Sequence, residues 1–258
     1  MKLLKTLLVA AAALAIASSL ATAKDWTTVR IGTEGAYPPF NFVDSNGELK
    51  GFDVDIARAL CEKMKLECTF VAQDWDGIIP ALLAGKYDAI IASMSITEER
   101  AKKVDFTDKY YNTPAKFVAK KGSGFTETNP ETLKGKVLGA QSSTIHANFL
   151  EDNFKDSEVK LYATQDEANA DLASGRLDAI LADSVALWEW TTNTDDGKCC
   201  EFVGSDQTDE RWFGKGAGIA VRKEDSDLKA MLNKALAEIL ADGTYKKLND
   251  QYFPFSIY

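Results

Sequence analysis

The sequence holds a single histidine, His146, and its four cysteines show no C-x-x-C spacing. A structural zinc site built from these residue types is therefore not expected. There is no G-x-S-x-G elbow, no H-E-x-x-H helix and no Walker loop. Gly214-Lys-Gly-Ala-Gly218 is glycine-rich but lacks the G-x-G-x-x-G spacing, and it reads as a turn after a hinge. No catalytic residue, metal or cofactor is assigned. Positive charge is also in short supply. Thirty Lys and Arg face thirty-nine Asp and Glu, for a net charge of −9, so the bulk field disfavours nucleic acid. Beyond the N-terminal run, no stretch is apolar enough to cross a membrane.

What is there begins with an export signal. Lys2 and Lys5 precede an apolar run over 7–17, and Ala21-Thr22-Ala23 is an A-x-A cleavage site. The run is shorter than the ~20 residues a spanning helix needs, and no cysteine near the cut offers a lipid anchor. Residues 1–23 are expected to be removed, leaving a mature periplasmic chain that starts at Lys24. The leader carries two lysines and no acid, so its loss moves the net charge from −9 to −11. The remaining 235 residues allow one large domain or two ordinary ones.

Export places Cys61, Cys68, Cys199 and Cys200 in an oxidising compartment, where four cysteines allow three pairings. Cys61–Cys68 closes a short local loop. Cys199 and Cys200 would then be a vicinal disulfide, two free thiols or an intermolecular link.

Short β-branched runs alternate with helical patterns: 29–32, 54–64, 69–71, 78–84 and 89–92. The rhythm restarts at 137–139, 144–154, 159–162, 165–173 and 179–182. It predicts α/β structure on parallel sheets. Helical patterns at 227–241 and 244–252 close the chain, punctuated by Asp242-Gly243. The restart includes a repeat. Gly85-Lys-Tyr-Asp-Ala-Ile-Ile-Ala-Ser93 returns as Gly175-Arg-Leu-Asp-Ala-Ile-Leu-Ala-Asp183. Two similar lobes are expected. Ligands of open α/β sheets bind beyond the carboxyl ends of the strands, which would bring Ser93 and Asp183 together across a cleft.

The chemistry-bearing candidates lie around those strand ends. Arg100 follows Thr97, a good N-cap, and an arginine there can fork onto a carboxylate; the bland alternative is a solvated helix arginine. Ser142, Ser143 and Thr144 precede a helix start, where N–H groups favour an anion and a hydroxyl caps. Asp183 suits an ammonium or an N-cap role. Glu34 suits a cationic side chain or an exposed loop. Tyr37 and Trp75 suit a sandwich around an aliphatic or guanidinium stem, or plain packing. Ser95 and Thr97 are hydroxyl donors. Glu34 and Asp183 also leave acid–base chemistry open.

Gly51-Phe-Asp-Val-Asp-Ile-Ala-Arg-Ala-Leu-Cys-Glu-Lys-Met64, Asp242-Gly-Thr-Tyr245 and Tyr252-Phe253 carry a family resemblance. The chain resembles the periplasmic polar-amino-acid-binding proteins of ABC transporters (solute-binding protein family 3), closest to the lysine/arginine/ornithine- and histidine-binding branch. The resemblance implies a type II periplasmic-binding fold: two α/β lobes, a ligand cleft and two hinge crossings. Lobe 1 would combine 24–111 with 213–258, lobe 2 would span 116–208, and the hinges would fall near 112–115 and 209–212. Cys61 and Cys68 match a disulfide of the branch. Arg100 matches the clamp on the ligand α-carboxylate, helped by Ser95 and Thr144. Asp183 matches the acid on the α-ammonium, with Ser93 assisting. Tyr37 and Trp75 match the aromatic sandwich, Trp75 standing where the branch often has phenylalanine. Glu34 stands where the branch often has the aspartate that reads a distal positive group. Ala92 replaces a serine and Ile145 a glutamine, which removes two polar contacts.

The resemblance implies a binding protein, not an enzyme. It would deliver arginine, lysine, ornithine or histidine to a membrane permease, as a monomer. An opine or other modified amino acid is the alternative within the class. A dehydratase on the same fold is the alternative outside it, and a receptor sensor domain would need a tether.

Overall fold

A computed structural model describes residues 24–258; the leader expected at 1–23 lies outside them. The chain builds two five-stranded sheets. The first runs in the spatial order Glu67–Ala72, Thr28–Thr33, Ala89–Ile90, Ala217–Val221, Asp105–Tyr111. The second runs Glu158–Tyr162, Val137–Gln141, Ala179–Asp183, Ala115–Lys120, Cys200–Gln207. This is the two-lobed α/β architecture that the repeat implied. Among the described residues, no helix is long and apolar enough to cross a membrane.

The repeated segment explains why each lobe has three layers. Ala89 and Ile91 pack into one hydrophobic cluster, Ile90 and Ala92 into another. In the second copy, Ala179 and Leu181 separate in the same way from Ile180 and Ala182. A strand buried on both faces must be apolar at successive positions, not alternating ones. The repeated acids are structural too. Asp88 accepts the Arg30 N–H at 3.1 Å and Asp178 accepts the Val137 N–H at 2.8 Å. Each acid ties the strand that follows it to the parallel neighbour beside it, Thr28–Thr33 in one lobe and Val137–Gln141 in the other.

Helix Phe52–Met64 starts where only glycine fits. Gly51 sits at φ 116°, and a Cβ there would lie 2.3 Å from the Phe40 carbonyl oxygen. This helix packs with Ser226–Ala241 and Thr244–Tyr252 on one face of the first sheet. Cys61 and Cys68 are disulfide-bonded, joining the helix to its following strand. Cys199 and Cys200 form the vicinal disulfide that the sequence left open.

The parallel sheets expected from the rhythm are present, with antiparallel strands added to each. In each sheet the first three strands are parallel and the fourth is reversed. The reversed strands are Ala217–Val221 and Ala115–Lys120, each the first strand the chain lays down after crossing from the other sheet. A chain arriving from the cleft side enters at the carboxyl edge of the parallel strands, so it must run against them. Neither these two strands nor Asp105–Tyr111, Cys200–Gln207 and the small sheet of Ala36–Tyr37, Asn41–Val43 and Leu49–Lys50 was anticipated by the periodicity. Phe213, placed by the resemblance at the return to lobe 1, lies tilted against Phe149 with ring centres 4.9 Å apart and packs in the hydrophobic cluster of the second sheet.

Candidate functional site

The carboxyl ends of the two sheets face each other across one cavity. It is lined from both sides by Glu34, Tyr37, Trp75, Ala92, Ser93, Ser95, Arg100, Thr144, Ile145 and Asp183, among others. It encloses about 610 Å³ of atom-free space, part of it open to solvent.

Arg100 is held by a local device. The Thr97 hydroxyl accepts the Arg100 N–H at 3.2 Å and caps the short helix Glu98–Ala101. From there the guanidinium reaches the Ser95 carbonyl at 3.1 Å and lies 5.2 Å from the Trp75 ring centre. Burial lowers its pKa to about 10, so it remains a cation at neutral pH. His146 lines the same wall. Burial first, and then the Arg100 charge, push its pKa to about 3, so it stays neutral. Thr144 caps helix Ile145–Asn153 by accepting the Ala147 N–H at 3.1 Å, and it donates its hydroxyl to the Gln141 carbonyl at 2.7 Å. Capping and lining the site are thus compatible. Ser143 differs from expectation. Its side chain is exposed and off this wall, and its carbonyl is the part in use, accepting the Trp75 indole N–H at 3.1 Å.

Asp183 combines the two roles set out for it. One oxygen caps helix Ser184–Asn193 through the Val185 and Ala186 N–H groups at 2.8 and 3.4 Å. The other accepts the Thr113 hydroxyl from the crossing segment. Burial raises its pKa to about 6, against the pull of those hydrogen bonds. Opposite stands Ser93, at φ 53°, its N–H donated to the Tyr110 hydroxyl at 3.0 Å. Tyr37 is buried and packs over Phe40 with ring centres 6.1 Å apart, so it serves packing and still lines the cavity.

Glu34 faces a partner the sequence reading did not name. Gln141, on the other lobe, donates to a Glu34 oxygen at 2.6 Å and to the Ala163 carbonyl at 3.1 Å. Burial raises the Glu34 pKa to about 7, with Asp166, Asp74 and Asp76 adding to the rise. Ser142 donates to Asp76 at 3.0 Å. Three consecutive residues of one lobe, Gln141 to Ser143, therefore each bond to the other lobe. Gln141, the last residue of strand Val137–Gln141, carried no assigned role in the sequence. Thr113, Tyr111 and His146 line the site with no sequence signal of their own.

A stability consequence follows from Glu34. Its pKa in the folded protein, about 7, lies above its ordinary 4.5. The stability it contributes is fully present below the ordinary value and is lost as pH rises through about 7. The ligand-stripped protein should melt at a lower temperature at about pH 8 than at about pH 6.5, a window above the values of Asp53 and Asp183. Glu34→Gln should flatten that slope. Thermal scans of both proteins at both pH values check it, and an equal slope in the variant would assign the effect elsewhere.

The comparisons with known proteins agree with this geometry. The L-arginine-binding protein of Pseudomonas aeruginosa is 48% identical over 256 residues, covering 98% of each chain. The lysine/arginine/ornithine-binding periplasmic protein of Escherichia coli is 42% identical over 90% of this chain and 89% of that one. Among solved structures, a Salmonella typhimurium periplasmic binding protein described for its high arginine specificity superposes with a TM-score of 0.80. It shares 34% identity, over 88% of this chain and 99% of that one. The family model for bacterial extracellular solute-binding proteins, family 3, matches residues 29–255. With nearly the whole mature length matched and the cleft built between two lobes, the chain belongs to that family of solute-binding proteins.

Proposed function

We propose that the cleft binds a cationic L-amino acid (arginine, lysine, ornithine or histidine) in the periplasm and presents it to the permease of an ABC importer. The observation that carries this reading is the charge arrangement: one cation, Arg100, and two separately held acids, Asp183 and Glu34, line a single cavity. Arg100 receives the α-carboxylate, with Ser95 and the helix start at Thr144 beside it. Asp183 and Ser93 receive the α-ammonium. Glu34 reads the distal positive group, and Tyr37 and Trp75 flank the side chain. The relatives that bind arginine, lysine or ornithine support the same class. Binding draws the lobes together about the crossing segments, and the closed form docks on the permease.

Calorimetric titration of the mature, ligand-stripped protein with arginine, lysine, ornithine, histidine, glutamine and glutamate tests this. One-to-one binding of a cationic member with glutamate silent is the expected result. Silence from all six would move the ligand to an opine or another modified amino acid. That second reading has one observation in its favour: Ala92 and Ile145 both line the cavity, where they give an apolar wall. Turnover of the ligand would favour the dehydratase alternative.

Closure has its own test. The Trp75 indole N–H bonds to Ser143 across the cleft, which a phenylalanine cannot do. Trp75→Phe keeps a ring beside Arg100 and loses that bond. Ligand dissociation should speed up about fivefold, the worth of one net hydrogen bond, with association little changed. Stopped-flow rates decide it; an unchanged dissociation rate would remove this bond from the closing latch.

A further inference from the structure

Behind the ammonium end of the cleft lies a buried carboxylate that the proposed function does not use. Asp53 is fully buried at the start of helix Phe52–Met64 and receives three side-chain donors. The Asn41 amide reaches one oxygen at 2.8 Å, the Ser93 hydroxyl reaches the same oxygen at 3.0 Å, and the Tyr110 hydroxyl reaches the other at 2.7 Å.

The direction of each bond can be worked out. The Asn41 carbonyl oxygen accepts the Gly35 N–H at 2.8 Å, which leaves the amide nitrogen facing Asp53 as donor. Tyr110 accepts the Ser93 N–H at 3.0 Å, which leaves its own proton for Asp53. Two donors are thereby fixed independently of the Ser93 hydroxyl. A carboxylate that already accepts both is an acceptor, so the Ser93 hydroxyl proton is committed to it as well. A serine hydroxyl has one proton and two lone pairs. With the proton turned inward, Ser93 offers the cleft only lone pairs.

We infer that Asp53 is a specificity-positioning residue: by holding the Ser93 hydroxyl as a pure acceptor, it makes the cleft demand a donor-rich ammonium on the ligand. The inference rests on the amino-acid reading of the site and deepens it. Asp183 can take one N–H, Ser93 a second, and an ammonium supplies both. A hydroxyl in the same place has one proton for two acceptors, so one lone-pair contact stays unmatched. Through Asn41 and Gly35 the same carboxylate braces the loop that carries Glu34, so the discriminating end and the tail-reading end share one buried support.

The test compares L-arginine with its 2-hydroxy analogue, in which a hydroxyl replaces the ammonium. Dissociation constants are measured on the mature wild type, Asp53→Asn and Ser93→Gly; glycine tolerates the left-handed backbone at position 93. The wild type should prefer the amino acid strongly. In both variants that preference should shrink about tenfold or more, because arginine loses a charge-assisted hydrogen bond while the analogue does not. Asp53→Asn added to Ser93→Gly should shift the preference no further. If Asp53→Asn does not fold, Ser93→Gly decides alone. A wild type that binds arginine, with variants that weaken both ligands by the same factor, overturns the inference. A wild type that binds no amino acid overturns the proposed function first, and this inference with it.

Discussion

Arg100→Ala is expected to abolish amino-acid binding while the fold survives. Among the described residues, the guanidinium makes one hydrogen bond within the protein, to the Ser95 carbonyl. The rest of its fork faces the cavity it lines. A ligand carboxylate drawn into that wall gives up its water, and without Arg100 nothing of opposite charge meets it. Leaving one member of a desolvated ion pair unpaired costs about 3–5 kcal/mol, or about two to four decades in the dissociation constant. Little of that cost falls on folding. The helix bearing Arg100 is only Glu98–Ala101, and burial already works against the charge. Calorimetry and a thermal scan of the same sample separate the two effects. Retained affinity with normal melting would sink the clamp assignment. Lost affinity with a large drop in melting temperature would point to a structural role instead.

The second large effect is on pH dependence, and it differs between ligands. On the proposed reading a cationic side chain meets ionised Glu34, whose pKa is raised to about 7. On the same reading the α-ammonium of every amino acid pairs with ionised Asp183, raised to about 6. Both groups must lose a proton before they can pair, so affinity is highest above about pH 8 and falls on acidification. At about pH 5.5 a group titrating near 7 costs about 30-fold in affinity, and one near 6 about fourfold. Arginine or lysine should thus lose about a hundredfold between the two conditions, and a neutral amino acid such as glutamine about fourfold. Glu34→Gln should bring the two profiles together and weaken the cationic ligands by one to two decades at about pH 8. Parallel profiles in the wild type would show that Glu34 does not read the distal charge.

Much of this was legible in the residues because it is written locally. The signature from Gly51 to Met64 fixes a helix whose first residue must be glycine, and the backbone at 51 explains why. The repeated Gly-x-x-Asp-Ala-Ile pattern gives two strands apolar on successive positions, and such strands must sit in the middle of covered sheets. Their carboxyl ends then mark the site, and Ser93 and Asp183 stand at those ends. Glu34, Tyr37, Trp75, Ser95, Arg100 and Thr144 line the cavity with them. Ser143, expected at the helix start that favours an anion, has a left-handed backbone, φ 56°, and presents its carbonyl to Trp75 of the opposite lobe.

What the sequence determined by itself is therefore the rhythm of the lobes, the glycine-locked helix, the charges available for a ligand and the strand ends that present them. These follow from periodicity and residue chemistry within a few positions of each other. The tertiary structure alone decided the reversed fourth strands, the packing of Phe213 in the hydrophobic cluster of the second sheet and the pairing of Gln141 with Glu34. It also decided the inward turn of the Ser93 hydroxyl. Each of these depends on segments far apart in the chain meeting at hydrogen-bond distance: Gln141 and Glu34 are separated by 107 residues, and Ser93 and Asp53 by 40. A hydrogen bond's direction is set by every donor and acceptor around it, and only the folded chain assembles that set.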